Sequence, residues 1–204
     1  MDGNGFDEID DGQVDAGSHP IEVAASWLAE ARSIGLPQAG AFSLATTGPS
    51  LRTVQALRFD HEGVLFTTHA RSPKMQAIGS DPNASALFHW PELGRQVIIN
   101  GTAQVAGSAI ADEEWKRRTD VARRLSSVIH QSEPITDRQD LLDMASAVRS
   151  DVARPEGWVA VRLIPSRIEF WRAGQQSLHL RDEFRLVNDT ESSTGTWAHR
   201  MLQP

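Results

Sequence analysis

No cysteine occurs among the 204 residues. That removes disulfide frameworks, thiolate nucleophiles and cysteine-ligated zinc or iron–sulfur centres together. Tyrosine is absent as well, so 6 tryptophans and 7 phenylalanines make up the aromatic content. Such side chains usually fill a core, and some can wall an aromatic ligand. No apolar run approaches the roughly 20 residues that span a bilayer, and the opening MDGNGFDEIDDG is acidic where a secretory signal is basic. A cytoplasmic protein with no membrane partner is expected. Long basic runs are missing too: the net charge is -7 and the 20 Lys and Arg are dispersed, which argues against nucleic acid as a partner. GxGxxG, a P-loop, zinc-ligand spacing and GxSxG do not occur, so the usual signatures of dinucleotide folds, nucleotide hydrolysis and serine hydrolases are lacking. The 7 histidines are scattered, with none paired at i,i+4, and no metal site is expected.

What is present alternates at strand spacing. The stretch Ser85 to Val105 has an apolar half ending in Trp90 and a β-branched half, Val97 to Ile99, joined by the turn Pro91-Glu92-Leu93-Gly94. It reads as a hairpin. Arg95 and Gln96, just past the turn, fall where a hairpin delivers polar side chains to a barrel rim, or where they only decorate a sheet edge. Upstream, AFSLATT, RTVQALRFD and GVLFTT are three strands joined by tight turns, an antiparallel meander. Downstream, GWVAVRLIP, RIEFW, SLHLRDEFRLV and a closing WAHRMLQP return to the strand pattern.

The helices lie between and around these strands. Residues 1–18 carry six acids, four glycines and no base, a composition that cannot offset the entropy of ordering, so they read as a disordered acidic tail ahead of one domain, 19–204. His19-Pro20 opens a helix with Ile21, Ala24, Trp27, Leu28 and Ala31 on one face, suited to the outside of a barrel. Ser72 and Pro73 start a short helix with Lys74 in its first turn, and such a start offers backbone N–H groups to an anion. ADEEWKRRTDVARRL reads as one helical segment with an ion-paired, solvated face. A second follows, capped by Asp137. Six to eight antiparallel strands with inserted helices imply a small β-barrel.

Four stretches carry a resemblance: RTVQALRFDHEGVLFTTHARSPK, DPNASALFHWPELGRQVIINGTA, the QSE of 131–133, and RIEFW followed by LHLR, a tryptophan and a terminal Leu-Gln-Pro. In order and spacing, from about His19 to Pro204, the chain resembles the pyridoxamine 5′-phosphate oxidase family of FMN-binding split barrels. QVIINGTA, LSSVIHQSE and the closing LQP are similar to its subgroup of flavin oxidases from phenazine biosynthesis. The resemblance implies a mainly β, Greek-key-like split barrel with peripheral helices, a homodimer with FMN at its interface. It assigns Arg52 and Lys74 to the FMN phosphate, Thr67 and Thr68 to cofactor hydrogen bonds, and Gln96 to the flavin ring. Gln131, Ser132, Trp171 and Arg181 match the set that reaches FMN from the second subunit. Pro73 stands where the family places an arginine, and Arg71 is the candidate substitute.

The substrate pocket departs further. The family holds its substrate's phosphate with a lysine, a tyrosine, an arginine and a serine, and the matching positions here are Leu57, Glu114, Arg118 and Ala122. Losing charge-assisted hydrogen bonds of roughly 1.5–3 kcal/mol each disfavours a phosphorylated substrate. The family's Arg-Leu-His becomes Ser177-Leu178-His179. The implied activity is FMN-dependent aromatisation of partly reduced phenazine carboxylates with O2 as acceptor. Two alternatives remain: a pyridoxamine/pyridoxine 5′-phosphate oxidase, and a non-catalytic flavin-binding module. His179 is the candidate proton carrier or substrate contact, or else a histidine that only hydrogen-bonds within the barrel. Arg118 is the candidate carboxylate anchor, or else a partner of Glu114 on its helix.

Overall fold

The computed structural model describes residues 14–174, 178–187 and 196–204. Alternating burial builds the strands. In β1 (Ala41–Thr46) Phe42, Leu44 and Thr46 are buried and their neighbours are not, so one face of the strand turns to a core. β2 (Ser50–Asp60) and β3 (Gly63–His69) complete the expected meander. β4 (Asn83–Trp90) and β5 (Arg95–Val105) form the expected hairpin, with Gly94 left-handed at φ 58° in the turn. β6 (Trp158–Arg172), β7 (Leu180–Val187) and β8 (Thr196–Leu202) follow. GWVAVRLIP and RIEFW are thus one 15-residue strand.

All eight strands share one antiparallel sheet in the order β3-β2-β1-β4-β5-β6-β7-β8, and β3 also pairs with β6. That second pairing closes β1 to β6 into a barrel and leaves β7 and β8 as an extension. After the meander the chain returns through α2 (Pro73–Ser80) to lay β4 beside β1 rather than β3, a Greek-key step that periodicity could not specify. β5 lies between β4 and β6, so Arg95 and Gln96 do not sit on a sheet edge. Gly101 marks an irregularity in the β5–β6 register, and a Cβ there would meet the Ile164 carbonyl oxygen at 1.9 Å. Only glycine permits that approach.

Phe42, Phe66, Phe88 and Phe170 are fully buried and fill the barrel, with Phe42 and Phe88 stacked at 4.9 Å. α1 (Pro20–Ser33) buries the face read from its sequence, Ile21, Ala24, Trp27, Leu28 and Ala31. That face joins the core lined by the inward side chains of the strands, instead of packing on the barrel's outside: Trp27 meets Phe170 edge-on at 5.0 Å. Val14 is 6% exposed and belongs to the same core, so packing begins ahead of His19. Residues 1–13 lie outside the described ones, as do 188–195 in the polar stretch before β8.

The segment read as one helix is two, α3 (Ser108–Lys116) and α4 (Asp120–Val128). Thr119 breaks it by accepting a hydrogen bond from the Ala122 N–H, a cap that outweighs the continuing helical pattern. α5 (Arg138–Ala147) is capped by Asp137, which accepts from the Gln139 N–H at 2.8 Å. Among the described residues no helix is long and apolar enough to cross a membrane.

Candidate functional site

Near the end of β3 stand Thr67 and Thr68, whose side chains point to opposite faces because neighbouring strand residues alternate. Thr68, on the inward face, is buried; Thr67 is half-buried on the other side. Two turns on, Lys74 in the first turn of α2 is only 5% exposed. Its Nζ donates to Thr68 Oγ1 at 2.9 Å and to Gln131 Oε1 at 3.0 Å. Thr68 itself donates to Gln131 Oε1 at 3.0 Å. Ser72 stands at the N-cap of α2, but its side chain does not cap the helix; its Oγ lies 3.4 Å from Thr68 Oγ1.

Among the described residues no carboxylate faces Lys74. Burial, and after it the charge of Arg52, lower the lysine's pKa from its ordinary value to about 8. Arg52, on the inward face of β2, hydrogen-bonds only neutral groups among the described residues: the Leu44 carbonyl, Thr46 Oγ1 at 2.8 Å, and Ser50 Oγ. Burial lowers its pKa too. Two cations held near one another without an acid, beside the open start of a helix, suit a dianionic phosphate. The Arg52 and Lys74 assignments therefore sit together, and Thr68 sits with them; Thr67 does not. Arg71 is exposed, and only its backbone carbonyl makes a described contact.

Gln131, which the resemblance places with the residues reaching FMN from the second subunit, lies against Lys74 of its own chain. The segment after α4 turns back over the start of α2, with Ser132 at φ 71°, a left-handed conformation unusual for serine. No described hydrogen bond involves the Ser132 side chain.

A second group forms elsewhere. Gln96 on β5 pairs with Trp171 on β6, and Trp171 with Arg181 on β7. Directly opposed residues share a face, so the three form one row, roughly 10 Å long at about 5 Å per strand. The row lies on the outward face, since Val97 and Phe170 point into the core. Arg181 donates from Nε to Glu169 Oε1 at 2.8 Å, its Nη2 lies 2.7 Å from the same oxygen, and its Nη1 donates to the Gln203 carbonyl at 3.0 Å. His179 packs on Trp171 with ring centroids 4.7 Å apart. The Gly174 N–H points at its Nδ1 from 3.4 Å, which leaves the proton of the neutral ring on Nε2. His179 lines a hollow of about 320 Å³ with Leu178, Met201 and Leu202. Ser177 lies outside the described residues. Among the described residues no hydrogen bond or ring contact joins this row to the Lys74 group.

Around α3 and α4 the charged residues sort differently from the helical pattern. Glu114 is 5% exposed and ion-pairs with Arg58 of β2 and, at 3.0 Å, with Arg117. Arg118 makes no described bond to Glu114. It donates to Ser126 Oγ at 2.9 Å and the Ala122 carbonyl at 3.3 Å, and its guanidinium lies 5.2 Å from the Trp158 ring centroid. Its Nε is buried with no hydrogen-bond partner among the described residues. Arg118 is thus a cation with donors to spare, whereas Glu114 is an acid already neutralised.

Two histidines went unnoticed in the sequence. His69 and His130 line a cavity of about 260 Å³ with Ser72, Ser126 and Gln131. Burial, and then the charges of Lys74, Arg118 and His130, lower the pKa of His69. Its place directly after Thr68 was the available signal.

Comparison with known proteins places the chain in a family. The family model described as pyridoxamine 5′-phosphate oxidase matches residues 28–150, and the one described as pyridoxine 5′-phosphate oxidase C-terminal dimerisation region matches 158–204. A dihydrophenazinedicarboxylate synthase from Pseudomonas chlororaphis is 36% identical over 91% of this chain and 84% of its own. A pyridoxine/pyridoxamine 5′-phosphate oxidase from Pelagibacter ubique (strain HTCC1062) is 35% identical over 91% of each. The crystal structure of PhzG from Burkholderia lata 383, in complex with tetrahydrophenazine-1-carboxylic acid, superposes with a TM-score of 0.82 at 31% identity, covering 93% of this chain and 95% of that one.

Proposed function

Because the chain belongs to the pyridoxamine 5′-phosphate oxidase family, we propose that it is an FMN-dependent oxidase that aromatises partly reduced phenazine carboxylates, with dioxygen as acceptor and hydrogen peroxide as product. The observation that carries the cofactor reading is Lys74, a lysine 5% exposed with no described acid to neutralise it, next to Arg52. Burying a charge is costly unless a counter-ion arrives, and a phosphate dianion is that counter-ion. Bound there, FMN would supply the acceptor for a hydride from a C–H or N–H bond of the substrate and the path to dioxygen.

The chain's own residues hold and orient. Lys74, Arg52 and the α2 start bind the phosphate; Thr68 and Gln131 fix the lysine in place. The Gln96–Trp171–Arg181 row lies on another surface of the protomer, so it reaches the same cofactor only from a second copy, an arrangement that the dimerisation match over 158–204 supports. His179, whose Nδ1 faces the Gly174 N–H, has Nε2 left to hydrogen-bond a substrate carboxylate or ring nitrogen. Arg118 anchors a substrate carboxylate through its free donors.

Sequence identity separates the two oxidase readings by a single percentage point. The substrate residues separate them better. With Leu57 and Ala122 in place of donors and the buried Glu114 where a phosphate ligand is expected, the pocket disfavours a phosphorylated substrate and tolerates a flat one with carboxylates. Purified protein titrated with FMN, then supplied in air with a reduced phenazine carboxylate or with pyridoxamine 5′-phosphate, tests this. Peroxide from the first and little from the second is expected. Peroxide mainly from pyridoxamine 5′-phosphate supports the vitamin oxidase instead, and flavin binding with no turnover of either supports a non-catalytic module.

A further inference from the structure

Resting on the reading that the chain binds FMN, we propose that Glu169 is a positioning residue of the flavin site. It cancels the charge of Arg181 and aims that side chain's remaining N–H groups along the Gln96–Trp171 row, so that Arg181 serves the ring end of the flavin and leaves the phosphate to Lys74 and Arg52.

Two cations assigned to one cofactor differ in what they touch. Lys74 has only neutral partners among the described residues. Arg181 has a carboxylate on two of its nitrogens and a backbone carbonyl on the third. A guanidinium has five N–H groups; among the described residues three are engaged, which leaves two for a ligand. A cation so neutralised adds little to the attraction of a dianion, but it is rigid and directional, which suits hydrogen bonding to the polar edge of a ring.

Glu169 is itself placed with care. It is on an outward face of the sheet yet only 3% exposed, in a row with Ile98 and Glu183. Its second oxygen takes Arg167 Nη2 at 2.5 Å. Arg167 donates in turn to Glu183 at 2.5 Å and to Asn100 Oδ1 at 2.8 Å. Glu183, 1% exposed, also receives Arg185 at 2.9 Å and Arg200. The result is a ladder of alternating charge, Arg200–Glu183–Arg167–Glu169–Arg181, running from β8 to the flavin-facing row. Every rung is paired, and neither Glu169 nor Arg181 can turn without breaking a neighbour's bond. At its far end the Gln203 carbonyl ties Arg181 to the chain terminus.

The test compares FMN with riboflavin, which has the same ring and no phosphate, and reads the bound flavin's reduction potential. Lys74→Met is expected to weaken FMN and leave riboflavin unchanged; Arg181→Met is expected to weaken both by the same factor. Glu169→Gln keeps size and an acceptor but removes the charge. It is expected to raise the potential, because an uncancelled guanidinium favours the negatively charged reduced ring, and Glu169→Asp should restore it. Arg181→Met should move the potential the other way, which keeps the test sound if Glu169→Gln folds poorly. An unchanged potential in a folded Glu169→Gln protein overturns the proposal, as does an Arg181→Met effect confined to FMN. A wild-type protein that binds neither flavin overturns the underlying cofactor reading instead.

Discussion

Replacing Lys74 by methionine should make the ligand-free protein more stable and its hold on FMN weaker, two effects of opposite sign from one side chain. The lysine's pKa falls from 10.5 to about 8, chiefly through burial. Between those values the unfolded chain holds a proton that the folded chain has released, so stability rises with pH across that window. Below pH 8 the penalty is present in full, and a shift of this size corresponds to ~3 kcal/mol. Methionine removes the penalty while filling much the same space. It also removes hydrogen bonds to Thr68 and Gln131, each worth about 1 kcal/mol, but those two groups remain bonded to each other at 3.0 Å and are not orphaned. The net expectation at pH 7 is a gain of ~1 kcal/mol. Urea unfolding of flavin-free protein at pH 7 and pH 9.5 measures it: wild type should gain stability at the higher pH, and Lys74→Met should change little. FMN affinity should fall by roughly 10- to 150-fold, the loss of one charge-assisted contact of 1.5–3 kcal/mol. A variant less stable than wild type at pH 7, with the wild-type pH dependence intact, would refute the reasoning.

The same lysine predicts that FMN affinity measured by fluorescence quenching declines as pH rises through about 8, and a flat profile to pH 10 would count against Lys74 as the phosphate's partner. Glu114→Gln should release Arg58 and Arg117, which are exposed enough to re-solvate, costing ~1–2 kcal/mol of stability while tightening binding of pyridoxine 5′-phosphate; calorimetry that finds no tightening removes Glu114 from substrate choice. Arg118→Ala should raise KM for carboxylated substrates more than it lowers kcat, and an effect on kcat alone would argue against an anchoring role. Gly101→Ala should destabilise by about 2–4 kcal/mol, since its Cβ would meet the Ile164 carbonyl oxygen at 1.9 Å; an unchanged urea midpoint would mean the β5–β6 irregularity relaxes freely.

How much was legible in the sequence varied with the range of the interaction. The buried face of α1 was readable residue by residue, because helical period and burial coincide at Ile21, Ala24, Trp27, Leu28 and Ala31. The α3–α4 break was not, although Thr119 and Asp120 spelled a cap: the apolar period ran on across it, and pattern overrode punctuation. Lys74 was found by local chemistry at a helix start and by resemblance alike. Its lack of an acid partner is a tertiary fact that no spacing records. Gln96, Trp171 and Arg181 became one row only through strand register, and register across β5, β6 and β7 has no local signature. Glu169 and Glu183 were passed over because outward-facing acids on a strand normally read as solvated. Here the covering arginines bury them. The contact of Gln131 with Lys74 was not legible either, since a motif match carries residue type and order, and not what a loop folds against.

Whether the protein oxidises a reduced phenazine carboxylate is read by mixing the FMN-loaded protein anaerobically with tetrahydrophenazine-1-carboxylic acid and following the visible flavin absorbance. Rapid bleaching is expected, with recovery on admitting oxygen and one hydrogen peroxide per flavin reoxidised. Absorbance that persists with this compound but bleaches with pyridoxine 5′-phosphate would contradict the proposed activity.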